Sequence, residues 1–324
     1  MKSQSKQYPL VIILLSTYNG EIFLEDLLQS IINQTYKNWK LWIRDDASTD
    51  NTLNILNDYI KKYSNVRFIE EKNSKNIGSK NSFESLMKYA LESSKSDYYC
   101  FCDQDDVWFE NKIEISLREI KKLEKEHPKQ FPLMVFSDLL PVDSKFKHLS
   151  DSFYTISRMN PSKNINHLIL HNFVVGCTMI FNRKLLDISH KIPRCERMHD
   201  SWLALVAFAC GETFYINKPL ILYRQHNKNV FGVSNSTSLK VLLNKISTIN
   251  DKFNYVCKRS QALINVKNIN LHKDLETSIN RYASLNKISL IKRIVWMMRY
   301  RMFPQGILRN LSWGLILLIA KTKK

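Results

Sequence analysis

Two hydrophobic periodicities alternate along the first two thirds of the chain, and this alternation constrains the fold more than any other feature. Short apolar runs, typical of strands buried on both faces of a sheet, are followed by segments with apolar residues at helical spacing. The pattern predicts an α/β fold with a mostly parallel central sheet and helices on both of its faces. The predicted strands are residues 9–15, 39–43, 66–69, 98–102, 133–136, 173–181 and 214–223, with Pro219 breaking the last. The predicted helices are residues 21–33, 53–59, 81–91, 112–123 and 202–209.

Charge is distributed unevenly between the two ends of the chain. Residues 219–324 contain 19 Lys and Arg but only 3 Asp and Glu, so they carry +16 of the net charge of +18. Strand patterns stop after about residue 236, where short amphipathic helices replace them. We therefore expect an α/β domain over residues 1–235 and a basic, helical C-terminal extension over residues 236–324. Such a basic appendage indicates contact with an anionic surface, either lipid or nucleic acid.

The N-terminal residues resemble a secretory signal only superficially. Lys2 and Lys6 precede the apolar run 10–15, but this run is short and no small-residue cleavage site follows it. We expect a first buried strand there, and no apolar stretch reaches the roughly 18 residues that a membrane-spanning helix needs. The six cysteines include no Cys-x-x-Cys pair, which favours a reducing, cytoplasmic compartment.

Two acidic clusters directly follow predicted strands. Asp45 and Asp46 follow one strand, and three aspartates among residues 103–106 follow another. Ligands of parallel sheets bind beyond the carboxyl ends of the strands, so both clusters lie where a site is expected. Three neighbouring carboxylates repel one another, and Mg²⁺ or Mn²⁺ would relieve this repulsion while keeping positions for phosphate oxygens. The alternative is a solvated acidic turn that caps the next helix.

Three further segments offer polar groups for binding or catalysis. Asp46 is left to accept a hydrogen bond from a nucleobase or a ribose hydroxyl, because neighbouring residues supply the helix cap. Asp200 opens an apolar helix, either as a general base for an alcohol nucleophile or as a helix cap. Arg224 and His226 follow a strand, where they either contact phosphate oxygens or lie in a solvated loop.

Taken together and in order, these segments are more specific than any one of them. They resemble a family 2 glycosyltransferase with the GT-A fold, a Rossmann-like α/β architecture, and within that family the bacterial rhamnosyltransferase branch. The resemblance covers about residues 9–232. The matching segments are LSTYNG at 15–20, INQTY at 32–36, RDDASTD at 44–50, DQDDVW at 103–108, GCT at 176–178, MHDSW at 198–202 and YRQH at 223–226.

The resemblance implies which residues bind the donor nucleotide. Asp46 would hold the base and the ribose together with residues of the first motif. Those residues are Thr17, Tyr18, Asn19 and Glu21.

The resemblance also implies which residues carry the chemistry. Asp103 and Asp105 would be the acids of an Asp-x-Asp motif, Asp103 near the ribose and Asp105 on the Mg²⁺ or Mn²⁺ of the diphosphate. Asp200 would be the catalytic base, while Arg224 and His226 would contact the leaving diphosphate. Many relatives have Glu-Asp where this chain has His-Asp, and His-Asp is usual in the rhamnosyl-like branch.

The implied activity is a single inverting displacement at the anomeric carbon of a nucleotide-diphosphate sugar. Asp200 would deprotonate the acceptor hydroxyl, and the metal would neutralise the departing diphosphate. The branch implies dTDP-L-rhamnose as the donor, with UDP-galactose or UDP-GlcNAc as alternatives. The acceptor would be a lipid-linked chain or an oligosaccharide of a cell-surface polysaccharide, such as a capsule or O-antigen.

The C-terminal basic residues are interleaved with Trp and aliphatic residues, notably between Lys292 and Arg309. Sequences of this kind fit an interfacial helix on an anionic membrane. We therefore expect peripheral attachment to the inner face of the cell membrane. The alternative is a helical subdomain that packs on the catalytic domain and keeps a solvated basic face.

Two other classes of protein fit parts of the sequence. A nucleic-acid-binding protein would explain the charge of +18, but the chain has no helix-turn-helix, zinc or aromatic-sheet signature. The strand-end acids would also repel phosphate, so we expect no nucleic-acid partner. The second class is a catalytically inactive sugar-binding module, against which the presence of Asp103, Asp105 and Asp200 argues.

Overall fold

The computed structural model describes residues 8–69, 75–162, 164–226, 249–267, 269, 271 and 273–320. Its centre is one eight-stranded sheet, in the order β3-β2-β1-β4-β7-β6-β8-β5. The strands are β1 Val11–Thr17, β2 Trp39–Asp45, β3 Val66–Phe68, β4 Tyr98–Asp103, β5 Val107–Trp108, β6 Leu133–Asp143, β7 Ile180–Asn182 and β8 Glu212–Gln225.

The half of the sheet formed by β3, β2, β1 and β4 is entirely parallel. In the other half β6 pairs with β8 in parallel, while β7 is antiparallel to both of its neighbours and β5 is antiparallel to β8. β1 is almost completely buried because helices cover both faces of the sheet, which explains its uninterrupted apolar sequence. The predicted α/β architecture with a mostly parallel central sheet is confirmed.

Helices cover the sheet on both faces. One hydrophobic cluster joins one face to α1, α2 and α4, and a second cluster joins the other face to α3, α7, α8 and the C-terminal helices. The helices are α1 Leu24–Ile32, α2 Thr52–Lys62, α3 Ser79–Ser93, α4 Lys112–Glu126, α5 Phe153–Ser157, α6 Ile165–Leu170, α7 Arg183–Ser189, α8 His199–Cys210, α9 Ile249–Ile264, α10 Lys273–Ser284, α11 Leu290–Arg299 and α12 Ile307–Ile319.

Two strand predictions were wrong in detail. Residues 173–181 do not form one strand: a short 3₁₀ helix, Gly176–Thr178, precedes β7, and the Thr178 hydroxyl donates a hydrogen bond to the Val175 carbonyl. Pro219 does not break β8, because this strand of 14 residues runs without interruption through Pro219. The register against β6 shifts at Asp138, which pairs with Pro219, so a local irregularity accommodates the missing N–H.

The C-terminal helices pack on the same core as α3, α7 and α8. Phe253 of α9 and Trp313 of α12 are buried in the cluster that contains α8. The guanidinium of Arg293 is buried and donates hydrogen bonds to the carbonyls of Leu285 and Ala320, so it closes the end of α12. The predicted boundary at residue 235 lies outside the described residues. Among the helices described, none has both the length and the apolar character needed to cross a bilayer.

We expect Phe253→Ala to lower the free energy of unfolding by about 3–5 kcal/mol, because it leaves a cavity in the shared core. Urea denaturation of the full chain measures this effect. Phe214→Ala is the matched control, since Phe214 is 41% exposed and its truncation should cost less than about 1 kcal/mol. Equal effects of the two substitutions would show that α9 is not part of the core.

Candidate active site

The carboxyl ends of three parallel strands form the floor of the site. β1 lies between β2 and β4, and its residues Ser16 and Thr17 pair with Asp103 and Asp45. A cavity of about 1580 Å³ opens beyond these strand ends. The start of α8, the segment around α5 and α6, and parts of α9 and α12 complete its walls.

The loop after β1 is clamped to the loop after β4 by Gln104. The Gln104 side chain accepts a hydrogen bond from the Tyr18 amide (2.8 Å) and donates one to the Tyr18 carbonyl (3.0 Å). A Cβ on Gly20 would lie 2.5 Å from Gln104 Oε1, so a larger residue there would displace the Gln104 amide. The sequence motif predicted no role for Gln104, which is the residue that shapes this rim of the cavity.

The predicted nucleotide-binding residues Thr17 and Tyr18 line the cavity. Thr17 Oγ1 donates a hydrogen bond to Asp45 Oδ1 (2.8 Å), which joins the ends of β1 and β2. Tyr18 is exposed, so its ring is available to a nucleobase. Thr17 thus joins the strand ends at the cavity, and Tyr18 presents an exposed ring beside it.

Asn19 also lines the cavity, whereas Glu21 does not. Asn19 has a left-handed backbone, with φ 47°, and its Oδ1 accepts a hydrogen bond from the Thr49 amide (2.8 Å). Glu21 is exposed and its Oε2 accepts a hydrogen bond from the Asn51 amide (2.8 Å). Both side chains therefore connect the loop after β1 to the loop before α2, and only Asn19 does so at the cavity.

Asp46 lines the cavity but is buried, and its carboxylate has several partners. It forms an ion pair with Arg44 (2.6 Å) and accepts hydrogen bonds from the amides of Ile77 (2.9 Å) and Gly78 (2.8 Å). These contacts hold the loop before α3 against the end of β2. A carboxylate offers about four lone-pair positions, so a bond to a nucleotide is compatible with them.

Asp103 ends β4, and its carboxylate and those of the loop that follows repel one another. Burial, followed by the charges of Asp105 and Asp200, raises the pKa of Asp103 to about 7. Asp106 is fully buried behind it, where burial and the charges of Asp105 and Asp103 raise its pKa well above the usual range. Like charges held together in this way favour protonation or a bound cation.

The residues present fit a divalent cation. Asp103, Asp106 and Cys177 bring potential ligand atoms within 4.8 Å of one another, and Asp105 lines the cavity beside Asp103. Burial raises the pKa of the Cys177 thiol well above its usual range, so the thiol keeps its proton. Mg²⁺ and Mn²⁺ prefer carboxylate oxygens to sulfur as ligands. The accessible carboxylates Asp103 and Asp105 are therefore the fitting donors.

His226 lies beside the acidic cluster, whereas Arg224 does not reach the cavity. His226 Nε2 is 2.9 Å from Asp105 Oδ2, and its ring stacks on Phe23 at 4.6 Å. The Arg224 guanidinium is buried, pairs with Asp26 (2.8 Å) and lies over the ring of Phe23 (4.7 Å). The structure thus brings His226 into the site and places Arg224 as a support for Phe23, in disagreement with its predicted phosphate contact.

Asp200 is the first acidic residue of α8 and faces the cavity. Its carboxylate accepts hydrogen bonds from the amides of Gly176 (3.1 Å) and Ser201 (2.6 Å). A Cβ on Gly176 would lie 3.1 Å from the Cβ of Asp200, so the 3₁₀ turn passes close to this side chain. Burial raises the pKa of Asp200 to about 6, which suits a group that accepts a proton near neutral pH.

Glu196 and Arg259 hold the segment around Asp200 in place. No local sequence pattern predicts this role for either residue. Arg259 of α9 donates to Glu196 (3.0 Å) and to the Ser201 hydroxyl (3.0 Å). It also donates to the carbonyl of Ile169 (3.2 Å) near the end of α6. One buried guanidinium from the C-terminal helices therefore holds the first turn of α8.

His199 precedes Asp200 and is enclosed by aromatic rings. Its imidazole stacks on Phe83 at 3.7 Å and meets the edge of Phe101 at 4.5 Å. Burial lowers its pKa to about 3, so the ring is neutral. Neither ring nitrogen has a hydrogen-bond partner within the described part of the chain, although the residue lines the cavity.

The strand-end acids and the carboxylate at the start of α8 thus line one cavity of a mixed α/β fold. Residues 12–189 match the sequence model of the family described as Glycosyl transferase family 2. The match spans more than half of the chain, which therefore belongs to this family and is a glycosyltransferase.

Two curated relatives illustrate the range of similar proteins. The dTDP-rhamnosyl transferase RfbG of Shigella flexneri is 27% identical over 252 residues, which cover 74% of this chain and 80% of that protein. A putative teichuronic acid biosynthesis glycosyltransferase, TuaG of Bacillus subtilis, is also 27% identical over 227 residues, covering 68% and 81%.

Among solved structures, S. aureus TarS with UDP-GlcNAc superimposes with a TM-score of 0.54. It is 17% identical, and the alignment covers 89% of this chain and 78% of TarS. The mannosyltransferase PcManGT of Pyrobaculum calidifontis, in complex with GDP-Man and Mn²⁺, gives a TM-score of 0.50 at 14% identity, covering 96% and 85%. At these identities the likeness shows the GT-A fold alone.

Proposed function

We propose that this glycosyltransferase transfers a sugar from a nucleotide-diphosphate donor to an acceptor hydroxyl by a single inverting displacement. The observation that carries the proposal is the Asp200 carboxylate, which faces the same cavity as Asp103 and Asp105. It is held by two backbone amides and has a pKa raised to about 6 by burial. The experiment that tests the proposal is a panel of nucleotide sugars assayed for diphosphate release and for the anomeric configuration of the product.

In the proposed reaction the residues of the cavity act on opposite sides of the anomeric carbon. Asp200 removes the proton from the acceptor hydroxyl as the oxygen attacks the anomeric carbon. The bond to the diphosphate breaks on the other face, on the side of Asp103 and Asp105. Mg²⁺ or Mn²⁺ bound to these carboxylates would neutralise the charge that develops on the leaving diphosphate. Tyr18 and Asp46 hold the nucleotide meanwhile.

For the donor we propose dTDP-L-rhamnose. The support is the 27% identity to a dTDP-rhamnosyl transferase over most of both chains. UDP-galactose and UDP-GlcNAc are the alternatives within the same reaction. The nucleotide-sugar panel separates them, because the preferred donor gives the highest kcat/KM.

We also propose that the enzyme works at the inner face of the cell membrane on a lipid-linked acceptor of cell-surface polysaccharide synthesis. The outer faces of α11 and α12 expose apolar side chains beside cations such as Lys292 and Arg299. Two other C-terminal cations point inward, because Arg293 closes α12 and Arg309 donates to the carbonyls of residues 157 and 158. The exposed apolar residues are Leu290, Ile291, Ile294, Val295 and Met298 on α11, and Ile307, Leu308, Leu311, Leu315, Leu318 and Ile319 on α12.

Asp200→Asn should lower the transfer rate by about 10²–10⁴-fold, because it keeps the shape of the side chain and removes the proton acceptor. Donor affinity, measured by calorimetry, should stay unchanged. In the wild type the rate at saturating donor and metal should fall as the pH drops below about 6, where Asp200 becomes protonated. Normal turnover by Asp200→Asn would show that Asp200 acts only as a helix cap.

Glu196→Gln provides the control for the assignment of this pH dependence. The negative charge of Glu196 raises the pKa of Asp200, after the larger effect of burial. Removing that charge lowers the pKa, so the acid limb of the rate profile should move to lower pH. A profile identical to that of the wild type would mean that another group titrates.

Asp105→Asn should lower activity by about 10²–10³-fold, since it removes a charge that holds the cation at the diphosphate. EDTA should abolish wild-type activity, and added Mn²⁺ or Mg²⁺ should restore it. Asp187→Asn, which changes an exposed carboxylate outside the cavity, is the matched control and should keep full activity. Undiminished turnover in EDTA would exclude a metal role for Asp105.

The intact protein should sediment with anionic vesicles at low salt and bind less at high salt. Each Lys or Arg near the surface contributes about 1 kcal/mol, and salt screens this attraction. The triple variant Ile291→Ser, Met298→Ser and Leu311→Ser should bind several-fold less, because these side chains are 76%, 63% and 67% exposed. Phe214→Ser is the control outside the two helices, and equal binding to neutral and anionic vesicles would contradict the proposal.

A further inference from the structure

The acidic and basic side chains that line the cavity of the active site come from different elements. The carboxylates that line it all lie at the strand ends or at the start of α8, and this part of the wall is called the acidic end. The lysine and arginine side chains that line it lie around α5, the loop before α8, α9 and α12, and this part of the wall is called the basic end. These cations are Arg158, Arg197, Lys252, Arg259 and Arg309.

His171 lies among the cations of the basic end of the cavity. It lines the cavity directly after α6. Its pKa is lowered to about 4, first by burial and then by the positive charges of Arg309, Arg259 and Lys252. Three of the cations that line this part of the cavity therefore lie close enough to His171 to act on its charge, although Arg259 pairs with Glu196.

The cations at this end differ in the contacts that they already make. The guanidinium groups of Arg259 and Arg309 already donate hydrogen bonds to Glu196, Ser201 and backbone carbonyls. The side chains of Arg158 and Arg197 are exposed, and Arg197 lies over the ring of Tyr255 at 4.8 Å. These two guanidinium groups can therefore bind a ligand without breaking an internal ion pair.

The donor diphosphate does not account for the basic end, because it belongs with the carboxylates and the cation at the strand ends. A second feature points to the chemistry of another ligand. Trp313, Ile316 and Leu308 of α12 line the cavity, and Leu308 continues into the exposed apolar face of that helix. A ligand that satisfies both features has an anionic head and an apolar tail.

We infer that the basic end of the cavity binds the phosphate or diphosphate head group of a lipid acceptor, with Arg158 and Arg197 as its principal contacts. This inference rests on the proposed transfer reaction and names the part of the acceptor that the enzyme recognises. Ser201 lies next to Asp200 and contacts Arg259, so the head group lies close to the proton acceptor. The sugar that is extended must then be attached close to the lipid phosphate, which places the reaction early in chain assembly.

Calorimetry with the full-length protein tests the inference without donor. Farnesyl diphosphate serves as the probe, and EDTA keeps its diphosphate from binding through a metal at the acidic end. Farnesyl diphosphate should bind at least about tenfold more tightly than either farnesol or pyrophosphate, because it offers both the charge and the tail. Pyrophosphate binding equal to that of the lipid would overturn the lipid assignment, and equal farnesol binding would overturn the anion site.

Charge reversal identifies the residues. Arg158→Glu and Arg197→Glu should each weaken the binding of farnesyl diphosphate by at least about tenfold. Arg194→Glu is the matched control, since Arg194 is exposed but does not line the cavity, and it should bind like the wild type. Unchanged affinity in both cavity variants, with melting temperatures like that of the wild type, would overturn the inference. Wild-type protein that binds the probe but turns over no nucleotide sugar would refute only the proposed function.

Discussion

The parallel pairing of β1 with β2 and β4 is the constraint on which the site depends. In parallel strands of matched register the carboxyl ends meet at one edge, and here they bring Asp45 and Asp103 to the two sides of Ser16 and Thr17. The loops that follow must then fit together in little space. Gln104 clamps the loop after β1, and Gly20 allows the approach.

This arrangement places several carboxylates in a buried region, where desolvation disfavours their charged form. Asp103 and Asp106 have raised pKa values because both are desolvated and repel their neighbours. Such a cluster is costly for a folded protein unless a cation or a function compensates. The structure offsets part of this cost with the Arg224 amide, which contacts Asp106 at 3.4 Å, and with the protonated Cys177 thiol. A bound divalent cation would offset the rest.

The inner and outer sides of the C-terminal helices have different surroundings. Their inner side completes the core, and Arg259 reaches from α9 to the first turn of α8. Their outer side exposes apolar residues that the chain itself does not cover in its described part. The wall of the cavity and the exposed apolar face thus belong to the same elements.

The sequence by itself determined the α/β architecture, the strand ends that carry the acids, and the apolar helix that Asp200 precedes. These features are local, since apolar periodicity and short motifs record which residues are buried and where a strand ends. Only the tertiary structure decided how distant side chains meet. Arg224 pairs with Asp26, 198 positions away, and so leaves the phosphate site predicted for it. Arg259 joins Glu196 and Ser201 from a C-terminal element whose charge alone predicted contact with an anionic surface, either lipid or nucleic acid. A charged residue has the same local signature whether it faces solvent, lipid or a buried partner, so its role depends on contacts that only the folded chain creates.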